Sequence, residues 1–501
     1  MIRKVTIKNG RVRGLPAADP RITVYKGIPY AAPPVGELRW KAPQPAKDWE
    51  GTLFACEFPP LAMQEIPGKD PDNIYTRDFH VDSDLPMSED CLYLNVWTPQ
   101  KAENEKLPVM VWFFGGGLNS GYPGEMEFDG ERLARRSVVV VTINYRLNVF
   151  GFLAYPQLSA ERKDNCITNF SLYDQRYSLF WVKENISAFG GDPDNITIFG
   201  QSGGGRSVLF QAISPLNDTS VFQKAISMSG SGITVGFIEY QTLKEAEESG
   251  KQFFDYLGVK NLAEARKISA EEMEKASLAQ KFVRWGAVID GIFLPDQPYK
   301  LLAAGKRMDI PLMAGHTTAD LGDFFRDDNT PEKFAEKAKK YLGNNAPKFL
   351  SLCEFEKGNF ERTRRLAEIN HQRLCIELMA LRNQNLSSPF YFYRFGPEMP
   401  GWDNPGAFHS SDLWFAFETL AKCWRPFKGK HYDLARQMCN YWANFARSGN
   451  PNGPDADGEP MPHWLPYTEY TPWSMDFLDT SVMNTVSETD AVKYLLDHIT
   501  L

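Results

Sequence analysis

The stretch IFGQSGGGRSV, residues 198–208, sets Ser202 among Gly200, Gly203, Gly204 and Gly205, directly after a short β-branched apolar run. Each glycine gives up conformational entropy on folding. The cluster is therefore either a flexible connector without a role, or a turn too tight for any Cβ around a serine. The spacing is G-x-S-x-G, a pattern that arises by chance roughly 0.2 times in a chain of this length. A strand before it and a helix after it give the pattern its meaning: the hydroxyl is held on a sharp bend, at the positive end of a helix. A second cluster, WFFGGGLNSG, closes an apolar run with Gly115, Gly116 and Gly117. Consecutive glycines leave backbone N–H groups unshielded, which suits the oxyanion of a tetrahedral intermediate. The alternative is a plain tight turn. Both clusters in one chain point to acyl transfer on a serine.

The elements that would position these residues follow in order. The run VTIKNGRVRG reads as a hairpin turning at Asn9-Gly10. LPVMVWFF and SVVVVTINY are continuous apolar runs, as buried parallel strands are. In SLYDQRYSLFWVKENISAF, residues Leu172, Leu179, Val182 and Ile186 fall at helical spacing. Strand ITIF, the serine turn, helix GRSVLFQAIS and strand QKAISMS come next, then IPLMA and PFYFYRF. A last helix, DLARQMCNYWANFARSG, stops at Gly449 and Pro451. Alternating strands and helices predict an α/β fold, with a mostly parallel central sheet and helices on both faces. Charged helical segments suggest one domain, 1–501, with a helical cap inserted at about 236–300.

Apolar content of 43% and charged content of 24% describe a globular protein with a large core. The 55 basic and 63 acidic residues are interspersed and leave a net charge of -8. That argues against nucleic acid and against an anionic membrane surface as partners. MIRKVTIKNGRVRG carries charges where a secretory leader has an apolar core. With seven cysteines, an odd number, the expectation is free thiols and a cytoplasmic location. No zinc-type His/Cys spacing occurs, so neither metal nor organic cofactor is expected.

The sequence resembles the type B carboxylesterases, the α/β-hydrolase group that includes the cholinesterases. The resemblance is carried by YKGIPYAAPPVGELRW, SEDCLYLNVWTP, VMVWFFGGG, NYRLNVFGFL, GAFHSSDL, YWANFARSGNPNG and the long block from Leu172 to Gly205. It implies an eight-stranded, mostly parallel sheet with a helical cover over a gorge. It further implies Ser202 as nucleophile, His409 as general base, and Gly116, Gly117 and Gly203 as the oxyanion hole. The partner would be a small-molecule ester, and the protein a monomer or homodimer. Amide or thioester cleavage would use the same triad. A silent, cholinesterase-like binding protein would have lost the serine.

Three departures from the family pattern matter. The acid segment is GHTTADLGDFF, and alignment on Gly315 puts Asp320 where relatives have glutamate, leaving Asp323 and Asp412 as alternatives. Secreted relatives bridge the cysteine matching Cys91 to an upstream cysteine, but Ala62 stands there, so Cys91 is expected to be a buried thiol. Phe114 replaces a histidine common before the glycine triplet, with no loss expected, because the donors are backbone groups. Trp112, Phe113, Phe324, Phe325, Trp414 and Phe415 could line an apolar pocket or simply pack the core.

Overall fold

Runs of apolar, β-branched residues too short for stable helices become the strands of one large sheet. The computed structural model describes residues 1–65, 72–79, 85–161, 166–230, 240–320, 330–367, 386–468, 470–486 and 489–498. Among these, eleven strands form the sheet: β1 Leu15–Pro16, β2 Thr23–Pro29, β3 Tyr93–Thr98, β4 Leu107–Phe113, β5 Val139–Ile143, β6 Gly191–Gln201, β7 Lys224–Met228, β8 Leu312–Thr317, β9 Phe390–Phe395, β10 Trp473–Phe477 and β11 Ser481–Thr485. Their spatial order is β11-β10-β9-β8-β7-β6-β4-β5-β3-β2-β1. From β5 through β10 every neighbouring pair is parallel, and the outer pairs are antiparallel. The sheet thus has eleven strands rather than the eight implied by the resemblance.

Both faces of the central strands are covered, since every residue of Val109–Phe113 and Val139–Val141 is fully buried. The cover includes helices Phe170–Asn185, Gly203–Ile213 and Gly429–Ser448. Leu172, Leu179, Val182 and Ile186 are all buried, as their spacing predicts. Helices Leu243–Leu257 and Ala270–Ala279 occupy the charged segment, each opened by a capping box, Thr242 with Glu245 and Ser269 with Glu272.

Three differences from the sequence reading have physical causes. The N-terminal hairpin turns at Lys8-Asn9, with Ile7 paired to Gly10. Gly10 takes φ +147 and lies against the Trp49 indole, where a Cβ would come within 2.6 Å. Gly27-Ile28-Pro29, the start of a proline-rich stretch expected to wrap the surface, instead completes strand β2: a bulge between Tyr25 and Ile28 takes up Gly27, and Pro29 pairs with Tyr93. Finally, helices Pro331–Leu342 and Ala346–Leu352 stand between β8 and β9, packed with Asp490–His498 around Phe334, Phe349, Val492 and Leu495.

Parallel pairing puts the carboxyl ends of β4, β6, β7, β8 and β9 along one sheet edge, where ligand sites of open α/β sheets form. The Gly115–Gly117 loop, Ser202, Asp320 and the loop to His409 all leave from that edge. The helix Gly203–Ile213 starts almost in contact with β4. A Cβ on Gly204 would lie 1.9 Å from the Phe113 carbonyl oxygen, and one on Gly200 2.5 Å from the Gly204 carbonyl carbon. The cluster is therefore a close-packed turn, not a flexible connector. Gly204→Ala is expected to cost about 3 kcal/mol or more through forced backbone displacement. It should be seen as a melting temperature several degrees lower or as loss of soluble protein; an unchanged melting temperature would contradict this packing.

Candidate active site

Ser202 adopts φ 53 and ψ −120, a region that non-glycine residues enter at a cost of about 1–3 kcal/mol. The surroundings hold it there. Its N–H donates to the Met228 carbonyl at 2.9 Å, and its own carbonyl accepts from the Arg206 N–H at 2.9 Å. The residue caps helix Gly203–Ile213, whose first-turn N–H groups have no intrahelical acceptor.

Opposite this turn, Gly116 and Gly117 take φ +94 and φ +65, and both are exposed. The Gly116 carbonyl is turned into its own loop, accepting from the N–H groups of Asn119 and Ser120, each at 3.1 Å. The Gly117 carbonyl accepts from Asn119 Nδ2 at 2.9 Å. Among the described residues, the N–H groups of Gly116, Gly117 and Gly203 donate to no protein acceptor. Gly203 faces the same loop, since a Cβ there would lie 2.9 Å from the Gly117 nitrogen. Phe114 supports the loop from below, stacked on Tyr145, whose hydroxyl donates to the Phe114 carbonyl at 2.6 Å.

His409 is buried, and its Nδ1 is hydrogen-bonded to Asp320 Oδ1. The two loops are tied by a bridge between Ala319 and Phe408, with the Ala319 N–H donating to the Ala407 carbonyl at 3.0 Å. This tie draws the short aspartate side chain up to the imidazole. Burial pushes the Asp320 carboxyl up, but the His409 ring, with Ser229 and His316 nearby, outweighs it and leaves the carboxyl below its ordinary value.

Asp412 is placed differently. Its Oδ2 accepts from the Tyr393 hydroxyl at 3.0 Å, and its buried Oδ1 has no hydrogen-bond partner. Burial, and then the charge of Asp320, push this carboxyl up to about 7. Asp323 lies outside the described residues. Of the two candidate carboxylates among the described residues, Asp320 is the one hydrogen-bonded to the imidazole.

Ser202 Oγ makes no direct hydrogen bond to His409. The imidazole Nε2 instead faces the Gln201 amide, Nε2 to Nε2, at 3.3 Å. Gln201 was not among the sequence candidates, because the x of G-x-S-x-G carries no constraint of its own. The aromatic candidates Trp112, Phe113, Trp414 and Phe415 are wholly buried in the core, and Phe324 and Phe325 lie outside the described residues. Beside the glycine loop is a cavity of about 520 Å³, lined about equally by polar groups, among them Asn73, Asn119, Asn148 and Gln280, and by apolar surface from Leu278, Val283 and Trp285.

The sequence model of the carboxylesterase family matches residues 2–494. The chain belongs to the carboxylesterase family. The esterase is 34% identical over 473 residues to the para-nitrobenzyl esterase of Bacillus subtilis (strain 168), covering 89% of this chain and 90% of that one. It is 31% identical over 521 residues to the liver carboxylesterase of Sus scrofa, covering 93% and 88%. A solved PNB esterase superposes with a TM-score of 0.82 at 30% identity over 99% of both chains. A Geobacillus stearothermophilus carboxylesterase gives 0.81 at 31% identity, over 98% of this chain and 100% of that one. The fold is thus that of the α/β-hydrolase esterases, and the protein is a carboxylic ester hydrolase. Among the described residues no helix is long and apolar enough to cross a membrane.

The Asp412 carboxyl titrates at about 7 in the folded protein and ordinarily at 3.8. Between those values the folded protein keeps a proton that the unfolded chain has lost, so rising pH removes stability. Asp412→Asn cannot ionise. Its stability relative to the parent should climb between about pH 4 and pH 8, by at most about 4 kcal/mol. Parallel thermal melts across that range check this, and a constant difference would contradict it.

Proposed function

We propose that the esterase works through Ser202 as nucleophile, His409 as general base and Asp320 as the residue that orients and charges the base. The hydrogen bond between His409 Nδ1 and Asp320, at the sheet edge that carries Ser202, is the observation that supports this most directly. With the proton on Nδ1 and that N–H donating to the Asp320 carboxylate, Nε2 carries the lone pair and can take the Ser202 proton. Hydrogen bonds of this kind are often long or unmade in ligand-free enzymes and tighten around substrate. Attack of Ser202 Oγ on the ester carbonyl forms the tetrahedral oxyanion, which the free N–H groups of Gly116, Gly117 and Gly203 receive. Imidazolium then returns the proton to the leaving alcohol. Water, deprotonated by His409 in turn, hydrolyses the acyl-enzyme and restores the serine.

The substrate is a small-molecule ester. The cavity next to the glycine loop offers the hydrogen-bonding side chains of Asn73, Asn119, Asn148 and Gln280 beside apolar surface from Leu278, Val283 and Trp285, so it suits esters that carry both polar and apolar groups beyond the scissile bond. We assign the chain to one domain with a helical cap at about 236–300, a reading supported by helices Leu243–Leu257 and Ala270–Ala279. A cytoplasmic, reducing location is supported by the free thiols of Cys56, Cys91, Cys423 and Cys439, with Cys91 buried close to Ala62.

Ser202→Ala should abolish both p-nitrophenyl acetate hydrolysis and labelling by a fluorophosphonate probe. Asp320→Asn should lower turnover by ~10⁴, the scale for an orienting carboxylate, while Asp412→Asn keeps most of it. Steady-state rates of the three variants check this. Full turnover in Ser202→Ala, or collapse confined to Asp412→Asn, would overturn the assignment.

A further inference from the structure

We infer that Gln201 is a positioning residue: it holds the His409 imidazole in the tautomer that can accept a proton and, being neutral, keeps the proton affinity of that ring low. The inference rests on the reading of His409 as general base. Gln201 ends β6, is 2% exposed, and places its Nε2 3.3 Å from His409 Nε2. The Asp320 carboxylate can only accept, so the ring proton sits on Nδ1 and donates to it, which leaves Nε2 with a lone pair. An amide N–H is then the end of Gln201 that this lone pair can meet. The opposite end, Oε1, lies toward Gly115, where a Cβ would come within 3.0 Å of it. The first glycine of the triplet thus makes room for the amide.

The charges around the ring are unevenly placed. From the loop after β8 comes Asp320, with His316 beside it; from the ring's own loop comes Asp412, bonded to Tyr393 of β9. On the Nε2 side, β6 brings Gln201, which has no charge. A donor aimed at the lone pair favours the neutral imidazole, whereas a carboxylate there would favour imidazolium. The base should therefore remain unprotonated, and the esterase active, to lower pH than a carboxylate at this position would permit.

The test is the pH dependence of kcat/KM for p-nitrophenyl acetate, measured from about pH 5 to pH 9 for the parent, Gln201→Glu and Gln201→Ala. Fluorophosphonate labelling counts competent sites in each preparation, so loss of folded protein is separated from loss of rate. In Gln201→Glu the acid limb should move up by about one pH unit or more, the scale set by an opposite charge at hydrogen-bonding distance. In Gln201→Ala it should move up by less, with a lower plateau rate. Superimposable acid limbs in all three would overturn the inference. If Gln201→Glu yields no labelled protein, an unmoved limb in Gln201→Ala suffices to do so. Retained turnover in His409→Ala would instead remove the reading of the base itself, a failure distinct from the first.

Discussion

The missing methyl at Gly204 governs the geometry of the whole edge. With only a hydrogen there, helix Gly203–Ile213 begins against the Phe113 carbonyl, and the last residue of β4 and the first turn of the helix share the same small volume. Two consequences follow from this one approach. Ser202 has no extended or helical route between strand and helix, so it accepts φ 53, and its hydrogen bonds to Met228 and Arg206 offset the strain. Gly203 is also brought up to the Gly116–Gly117 loop, with its would-be Cβ 2.9 Å from the Gly117 nitrogen. A larger residue at 204 would push the helix away from the Phe113 and Phe114 carbonyls and so from the glycine loop.

A second constraint concerns two carboxyls in one buried neighbourhood. Both Asp320 and Asp412 are taken out of water, and both feel the penalty of burial. They differ in what faces them. Asp320 meets an imidazole that can become positive, and stays ionised; Asp412 meets a phenol hydroxyl and the charge of Asp320, and holds its proton. Environments that push two like groups apart in this way assign them different tasks. Only an ionised carboxylate can stabilise a developing imidazolium, and Asp412, held up at about 7, is largely uncharged only on the acid side of neutrality.

Much of this was legible in the residues, for identifiable reasons. The serine motif, the two apolar strands before it and helix Phe170–Asn185 are each written in local pattern, and local pattern survives in the fold. What depends on tertiary contact was not legible. Thr23–Pro29 is a strand because a bulge takes up its glycine and its proline falls at the strand's last residue, and nothing within the segment announces the partner that enforces it. Helix Pro331–Leu342 did carry a signal, since Thr330 caps it, proline opens it, and Phe334 and Ala338 share a face. There the strands on either side drew the reading past it. The aromatic residues flanking the motifs left pocket and core packing open, and Trp112, Phe113, Trp414 and Phe415 are core, the first two because the strand that carries them is covered on both sides.

The choice among carboxylates shows why spacing along a chain is weaker than a tie between loops. Asp412 is three residues from His409, and Asp320 is separated from it by a long intervening segment. The backbone bridge at Ala319 and Phe408 reverses that order, because it fixes Asp320 one residue from a point that is itself one residue from the imidazole. An aspartate, one methylene shorter than glutamate, suffices once the main chains are hydrogen-bonded to each other. The site thereby gains a stiffer support, since the distance between acid and base is set by backbone rather than by an extra rotatable bond. Asp412, held on the other side by Tyr393, cannot take its place without giving up that hydrogen bond.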